Sequence, residues 1–243
     1  MGSIATTFTP AAPDAPDARD RLVAPLRHTV LLTGLFLGMA AAGAYYQHSA
    51  RLRAPSQAHP NVLPLYLSLL ALQWGLFYYV WRVGLSRTGA RLRDLIGGRW
   101  SSLTDVWRDV AIAAGTWGAW QLSVAAWNRW LGAGHAVSVQ ALLPHGPIEV
   151  ALWIALSLTA GFNEELVFRG YFQRQFAVMS HSRWMGTLLQ AVLFGISHGY
   201  QGVMACAKIA CFGVLFGGVA RWRRSLRPGM IAHAWTDIAA GLF

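Results

Sequence analysis

Seven ionisable side chains stand inside otherwise apolar stretches of this 243-residue chain: Glu164, Glu165, Arg169, His198, Lys208, His233 and Asp237. An ionisable group within a bilayer costs about 2.5–3.5 kcal/mol even on the lenient insertion scale, so each needs a partner or a task. Helical geometry sorts them. Glu165 and Arg169 are four residues apart, which puts them about 40° apart on one helix face and predicts a pair. Pairing offsets two buried charges that would each be prohibitive alone. Glu164 points about 100° away and lacks that partner. An unpaired carboxyl in an apolar site is where a general base working near neutral pH is expected. Glu164 is therefore read as chemical and Glu165 as structural; the plainer alternative is that both pack against basic residues. His198 follows Phe194 by one helical turn, and alone it reads equally as a hydrogen-bonded structural residue. His233 and Asp237 repeat that spacing, and Asp237 is placed to fix the tautomer of His233. Two imidazoles and a carboxylate on three segments form an acid–base constellation if the segments converge. Lys208 reads as a side chain snorkelling to an interface, or as a buried partner of Asp237 or of a substrate carboxylate.

The same carboxylates and histidines admit a zinc reading, with an open position for water as in a His₂Glu metalloprotease. The helical HExxH signature of such enzymes is absent. Cys206 and Cys211 lie roughly 140° apart around one helix and form neither a disulfide framework nor a CxxC site. A metal-free, cofactor-free site is the leading expectation.

Asn163-Glu164-Glu165-Leu166-Val167-Phe168-Arg169-Gly170 resembles the EExxxR motif of the CPBP family of intramembrane proteases, whose members include CAAX prenyl endopeptidases. Phe194 to His198 is similar to that family's FxxxH motif, and His233 to Asp237 to its closing HxxxN/D motif. The order matches, and the resemblance covers residues 147–243. It implies a glutamate-type intramembrane endopeptidase. By this likeness Glu164 and His198 activate water, Glu165 and Arg169 support them, Phe194 belongs to the histidine motif, and His233 with residue 237 stabilises the oxyanion. Many members carry Asn at that last position; an ionised Asp237 cannot donate a hydrogen bond as an amide can. Beside the zinc enzyme, the same scaffold allows a non-catalytic membrane protein or bacteriocin-immunity factor, and a transporter with a proton relay. The intact motifs argue against the former, and the single late cluster without repeats against the latter.

The elements that must position these residues are membrane spans. Hydrophobic residues make up 55% of the chain and charged residues 12%, about half the charged share of a soluble domain. Thr29–Tyr46, Val62–Trp81, Val110–Trp127 and Val150–Phe162 contain no Asp, Glu, Lys or Arg, and such runs approach the roughly 20 residues that cross a bilayer. The expected fold is all-α, a polytopic bundle of about seven transmembrane helices near 28–47, 62–82, 107–130, 147–173, 184–200, 202–221 and 227–243. Residues 28–243 form a single transmembrane domain, and Ser86–Thr104 reads as a helix lying in the interface. Residues 1–27 read as a disordered tail without the pattern of a secretory signal, so the first span is expected to be retained.

A net charge of +10 suggests nucleic acid, but the arginines sit in short clusters between apolar runs, where they orient a chain in a membrane. The N-terminal tail, the loop after the second span, and those after the fourth and sixth carry most of them. This predicts a cytoplasmic N-terminus in a bacterial inner membrane, with no nucleic-acid partner. The expected partners are the lipid bilayer and a membrane-embedded or membrane-anchored peptide or protein substrate. Counting along the spans predicts a cavity open toward the arginine-rich face.

Overall fold

The computed structural model describes residues 21–51, 60–132 and 142–243. Most of the tail, 1–20, lies outside them. Residues 21–27 belong to the packed body: Val23 and Ala24 are buried, and Gln175 accepts from Val23 N at 3.0 Å and donates to Ala24 O at 2.8 Å.

Among the described residues the fold is all-α. Helix α1 is Leu26–Arg51 and α2 is Leu63–Tyr78, which runs on through a π-helical stretch Tyr79–Gly84. The short α3 is Leu92–Ile96, and α4 is Leu103–Leu131. Helix α5, Pro147–Glu164, continues through a π-helical stretch Glu165–Phe172 into α6, Gln173–Met179. Helices α7 (Arg183–Ser197), α8 (Val203–Arg223) and α9 (Arg227–Leu242) complete the bundle. The packing is that of a protein solvated by lipid. Val30, Leu31, Leu67, Leu122 and Val203 point outward, whereas Glu165, Arg169, Gln175, Gln190 and His233 are buried. Backbones approach closely through small residues, as in membrane bundles. A Cβ at Gly195 would stand 2.5 Å from Cys206 O, and one at Gly213 would stand 2.8 Å from Ala191 Cα, which sets α7 directly against α8.

Among the described residues, four helices are long and apolar enough to cross a membrane by length and composition alone: Leu26–Ser49, Leu63–Arg87, Pro147–Met179 and Val203–Arg223. The other three expected spans exist as helices but differ for physical reasons. Helix α4 has the length, 29 residues, but its uncharged stretch Val110–Trp127 is diluted in hydropathy by Gly115, Trp117, Gly118, Trp120 and Gln121. Helices α7 and α9 have 15 and 16 residues, roughly 22–24 Å against a hydrocarbon core of about 30 Å. The expected interfacial helix is also shorter. Between a 3₁₀ turn at Leu85–Arg87 and the start of α4, only Leu92–Ile96 is α-helical, stopped by Gly97 and Gly98 at φ 98° and 82°, and Leu95 packs beneath Gly170 and is buried.

The arginine-rich loops meet at one end of the bundle. Asp109, fully buried, accepts from Trp100 Nε1 at 2.8 Å and Arg223 Nε at 3.0 Å, and pairs with Arg227 Nε at 3.1 Å. Arg174 donates to Asp94 O and Leu226 N to Ile96 O, while Thr88 Oγ1 donates to Val23 O. These bonds close that end.

Candidate active site

The two glutamates arrive where α5 widens: Glu164 ends its regular part and Glu165 opens the π-helical part. In a regular helix neighbouring side chains diverge by about 100°. Here both reach one imidazole. His233 donates from Nδ1 to Glu165 Oε1 at 3.0 Å, and its Nε2 lies 3.7 Å from Glu164 Oε2. Helix α9 can come this near because residue 161 is glycine. A Cβ there would stand 2.7 Å from Met230 O and 2.8 Å from Ala234 N, one turn before the glutamates.

Glu165 Oε1 also holds Arg169 Nη1 at 3.1 Å, with both side chains fully enclosed. The guanidinium lies 4.3 Å from the centre of the Phe194 ring, with Phe212 at 5.5 Å and Phe216 at 5.8 Å. A carboxylate and aromatic faces together compensate a cation that no solvent reaches. Phe194 thus covers Arg169, and its carbonyl accepts from His198 Nδ1 at 2.9 Å. Because a carbonyl oxygen only accepts, the proton sits on Nδ1 and Nε2 is left for chemistry. Asp237 Oδ2 lies 3.6 Å from Nε2 of His233, on the same side of the ring as Glu164. The tautomer of His233 is therefore fixed by Glu165 and not, as its one-turn spacing suggested, by Asp237. Nδ1 faces α5, and Asp237 reaches only the far nitrogen.

Glu164 and Asp237 remain 25% and 33% exposed, against 0% for Glu165, because both line a cavity of about 500 Å³. His198 and His233 share its wall, so the structure brings all four proposed catalytic residues to one space, with Phe194 beside them on the wall and Glu165 and Arg169 packed behind. Elsewhere the wall is largely apolar and includes Leu65, Tyr66, Leu142, Leu143 and Trp153. These residues lie at the end opposite the arginine-rich loops, so the cavity extends away from that face, contrary to the sequence expectation. The arginine end is shut by Asp109 and its partners; counting residues along spans gave depth but not which end was sealed. Lys208 donates to Asn128 Oδ1 at 3.0 Å and lines no part of the cavity, so it is not the partner of Asp237.

Several cavity residues escaped the sequence reading. Ser197 and Tyr200 flank His198, and Trp153 Nε1 donates to the Asp237 backbone carbonyl at 2.9 Å. Asn163, 3% exposed, has neither amide atom bonded to protein. Its place beside Glu164 was the available signal.

Residues 146–239 match the family model described as type II CAAX prenyl endopeptidase Rce1-like. Over this segment the chain is similar to that family. No curated protein and no solved structure matches the chain. The family segment runs from the start of α5 almost to the end of α9 and holds Glu164, Glu165, Arg169, Phe194, His198, His233 and Asp237. Helices α1, α2 and α4 lie outside it and supply Phe36, Leu65 and Trp120 to the cavity wall.

Proposed function

We propose that the protein is an intramembrane endopeptidase that hydrolyses a peptide bond of a membrane-embedded or membrane-anchored substrate. The family match supports a protease. The observation that carries the mechanism is the contrast between the glutamates: Glu165 is locked between Arg169 and His233, while Glu164 faces the cavity. Glu164 takes a proton from water, and the unprotonated Nε2 of His198 assists it. The water oxygen attacks the scissile carbonyl, and the developing oxyanion meets Nε2–H of His233, which Glu165 holds from behind. Fixed donors aimed at developing charge in a water-poor site are the strongest contribution such a wall can make. The apolar remainder of the cavity suits a lipidated or helical peptide. The reaction uses no metal or other cofactor. We place the protein in a bacterial cytoplasmic membrane with its N-terminus in the cytoplasm, from the arginine distribution.

The test is turnover in proteoliposomes of a panel holding farnesylated CAAX peptides and single-span membrane peptides, with and without a strong chelator. Mass spectrometry should find two fragments summing to the peptide plus one water, at unchanged rate with chelator. No hydrolysis of any panel member defeats the reading; loss on chelation with recovery on adding zinc favours a metalloprotease.

A further inference from the structure

We propose that Asp237 is the general acid of this reaction, delivering a proton to the leaving amine; this rests on the peptidase reading above. Two carboxyls flank one ring nitrogen: Nε2 of His233 lies 3.6 Å from Asp237 Oδ2 and 3.7 Å from Glu164 Oε2. Both carboxyls line the cavity, so each can reach a peptide bond lying against His233.

Charge accounting decides which carboxyl carries a proton. Glu164, Glu165 and Asp237 surround two basic groups, Arg169 and His233. With every group ionised, one negative charge is left uncompensated inside an apolar bundle, where net charge is costly. One retained proton removes it. Glu165 accepts from His233 Nδ1 and pairs with Arg169 Nη1 through one oxygen, Oε1, while its Oε2 is buried without a hydrogen-bond partner. A proton placed on Oε2 would find no acceptor, whereas the two basic groups at Oε1 favour the charged carboxylate. Glu164 must be free to act as base. The proton therefore belongs to Asp237. Its turn of α9 is fixed relative to α5 by Trp153 Nε1, which donates to the Asp237 carbonyl, and by Gly241, which packs on the same indole. The other titratable groups around Asp237 are Glu164 and Glu165 on α5, His198 and Tyr200 in the turn between α7 and α8, and His233 on α9 itself.

The water oxygen bonds to the carbonyl carbon while its proton passes to Glu164. The C–N bond then breaks, and Asp237 Oδ2–H gives its proton to the departing nitrogen. A carboxylic acid and an amine leave. Nε2–H of His233 returns a proton to Asp237 and is refilled from Glu164, so one water is consumed and the site is restored. The asparagine that many family members carry here can donate a hydrogen bond but cannot transfer a proton, so Asp237→Asn separates the two roles.

The experiment uses the panel peptide that the wild type cleaves and its twin with an ester at the scissile bond. An alcohol leaves with far less need of protonation than an amine. Asp237→Asn should slow kcat on the amide by about 100-fold or more, the usual scale of general acid catalysis, and leave the ester rate within a few-fold. Asp237→Glu, which keeps an acid, should recover part of the amide rate. The wild-type amide rate should begin to fall at lower pH than the ester rate, which declines only when His233 loses the Nε2 proton that meets the oxyanion. Near wild-type amide cleavage by Asp237→Asn overturns the proposal, as does equal loss on amide and ester with an unchanged melting temperature. Wild type inactive on every panel member overturns the peptidase reading itself, whereas the Asp237→Asn comparison bears on the acid alone.

Discussion

Glu164 and Glu165 share a residue type and a helix, and what separates them is what they touch. Glu165 meets Arg169 at 3.1 Å and His233 at 3.0 Å with no exposed surface; Glu164 faces the cavity. Removing one partner of a buried pair strands the other charge, which costs about 3–5 kcal/mol. Glu165→Gln is therefore expected to lower the melting temperature in detergent markedly, because Arg169 keeps only its aromatic cover. A melting temperature within a degree or two of wild type would show that Arg169 does not depend on Glu165. The Glu165–Arg169 pair was legible from spacing alone, since four residues place two side chains together in any helix near regular pitch. The second partner of Glu165 was not. Nothing in the sequence places the His233 ring edge-on to α5, because that contact depends on how two helices distant in sequence lie against each other.

At the scale of elements, the site depends on one irregular helix and one close crossing. The π-helical stretch Glu165–Phe172 turns two adjacent glutamates onto one imidazole, and π-turns recur at functional sites. Residue type gives little sign of such a widening, so a 3.6-residue period set Glu164 about 100° away from Glu165 and gave no hint that both would reach the same ring. The crossing is set by Gly161, which leaves no space for a side chain between α5 and α9. Gly161→Ala should push α9 outward, reducing both stability and hydrolysis. Gly218→Ala on α8, where a Cβ meets nothing within 4 Å, should be close to neutral. Equal behaviour of the two variants, read by melting temperature and initial rate, would contradict the crossing as the device that sets the site. Long apolar helices were readable because their composition is unmistakable. The last span was legible to its ends, expected at 227–243 and found as α9, Arg227–Leu242, whereas α7 stops three residues short of the expected 200 because the chain turns at His198.

The whole molecule has two unlike ends. One gathers the arginines and is closed around Asp109; toward the other the cavity extends past Tyr66, Leu142 and Trp153. Charge alternation predicted which loops share a side, and the hydrogen bonds among Val23, Thr88, Ile96, Arg174 and Leu226 join those loops. It carried no information about which end is open. In a background with Cys206 and Cys211 replaced, Arg224→Cys and Ser197→Cys should react with a membrane-impermeant thiol reagent from opposite faces, Arg224→Cys in inside-out vesicles. Labelling of both from one face would contradict this arrangement. Glu164 is the proposed base that activates water, and its isosteric replacement tests that role most directly. In proteoliposomes with a peptide the wild type cleaves, Glu164→Gln should melt like wild type and hydrolyse at least about 100-fold more slowly, the scale on which a positioned base contributes. A folded Glu164→Gln protein cleaving at close to the wild-type rate would contradict it.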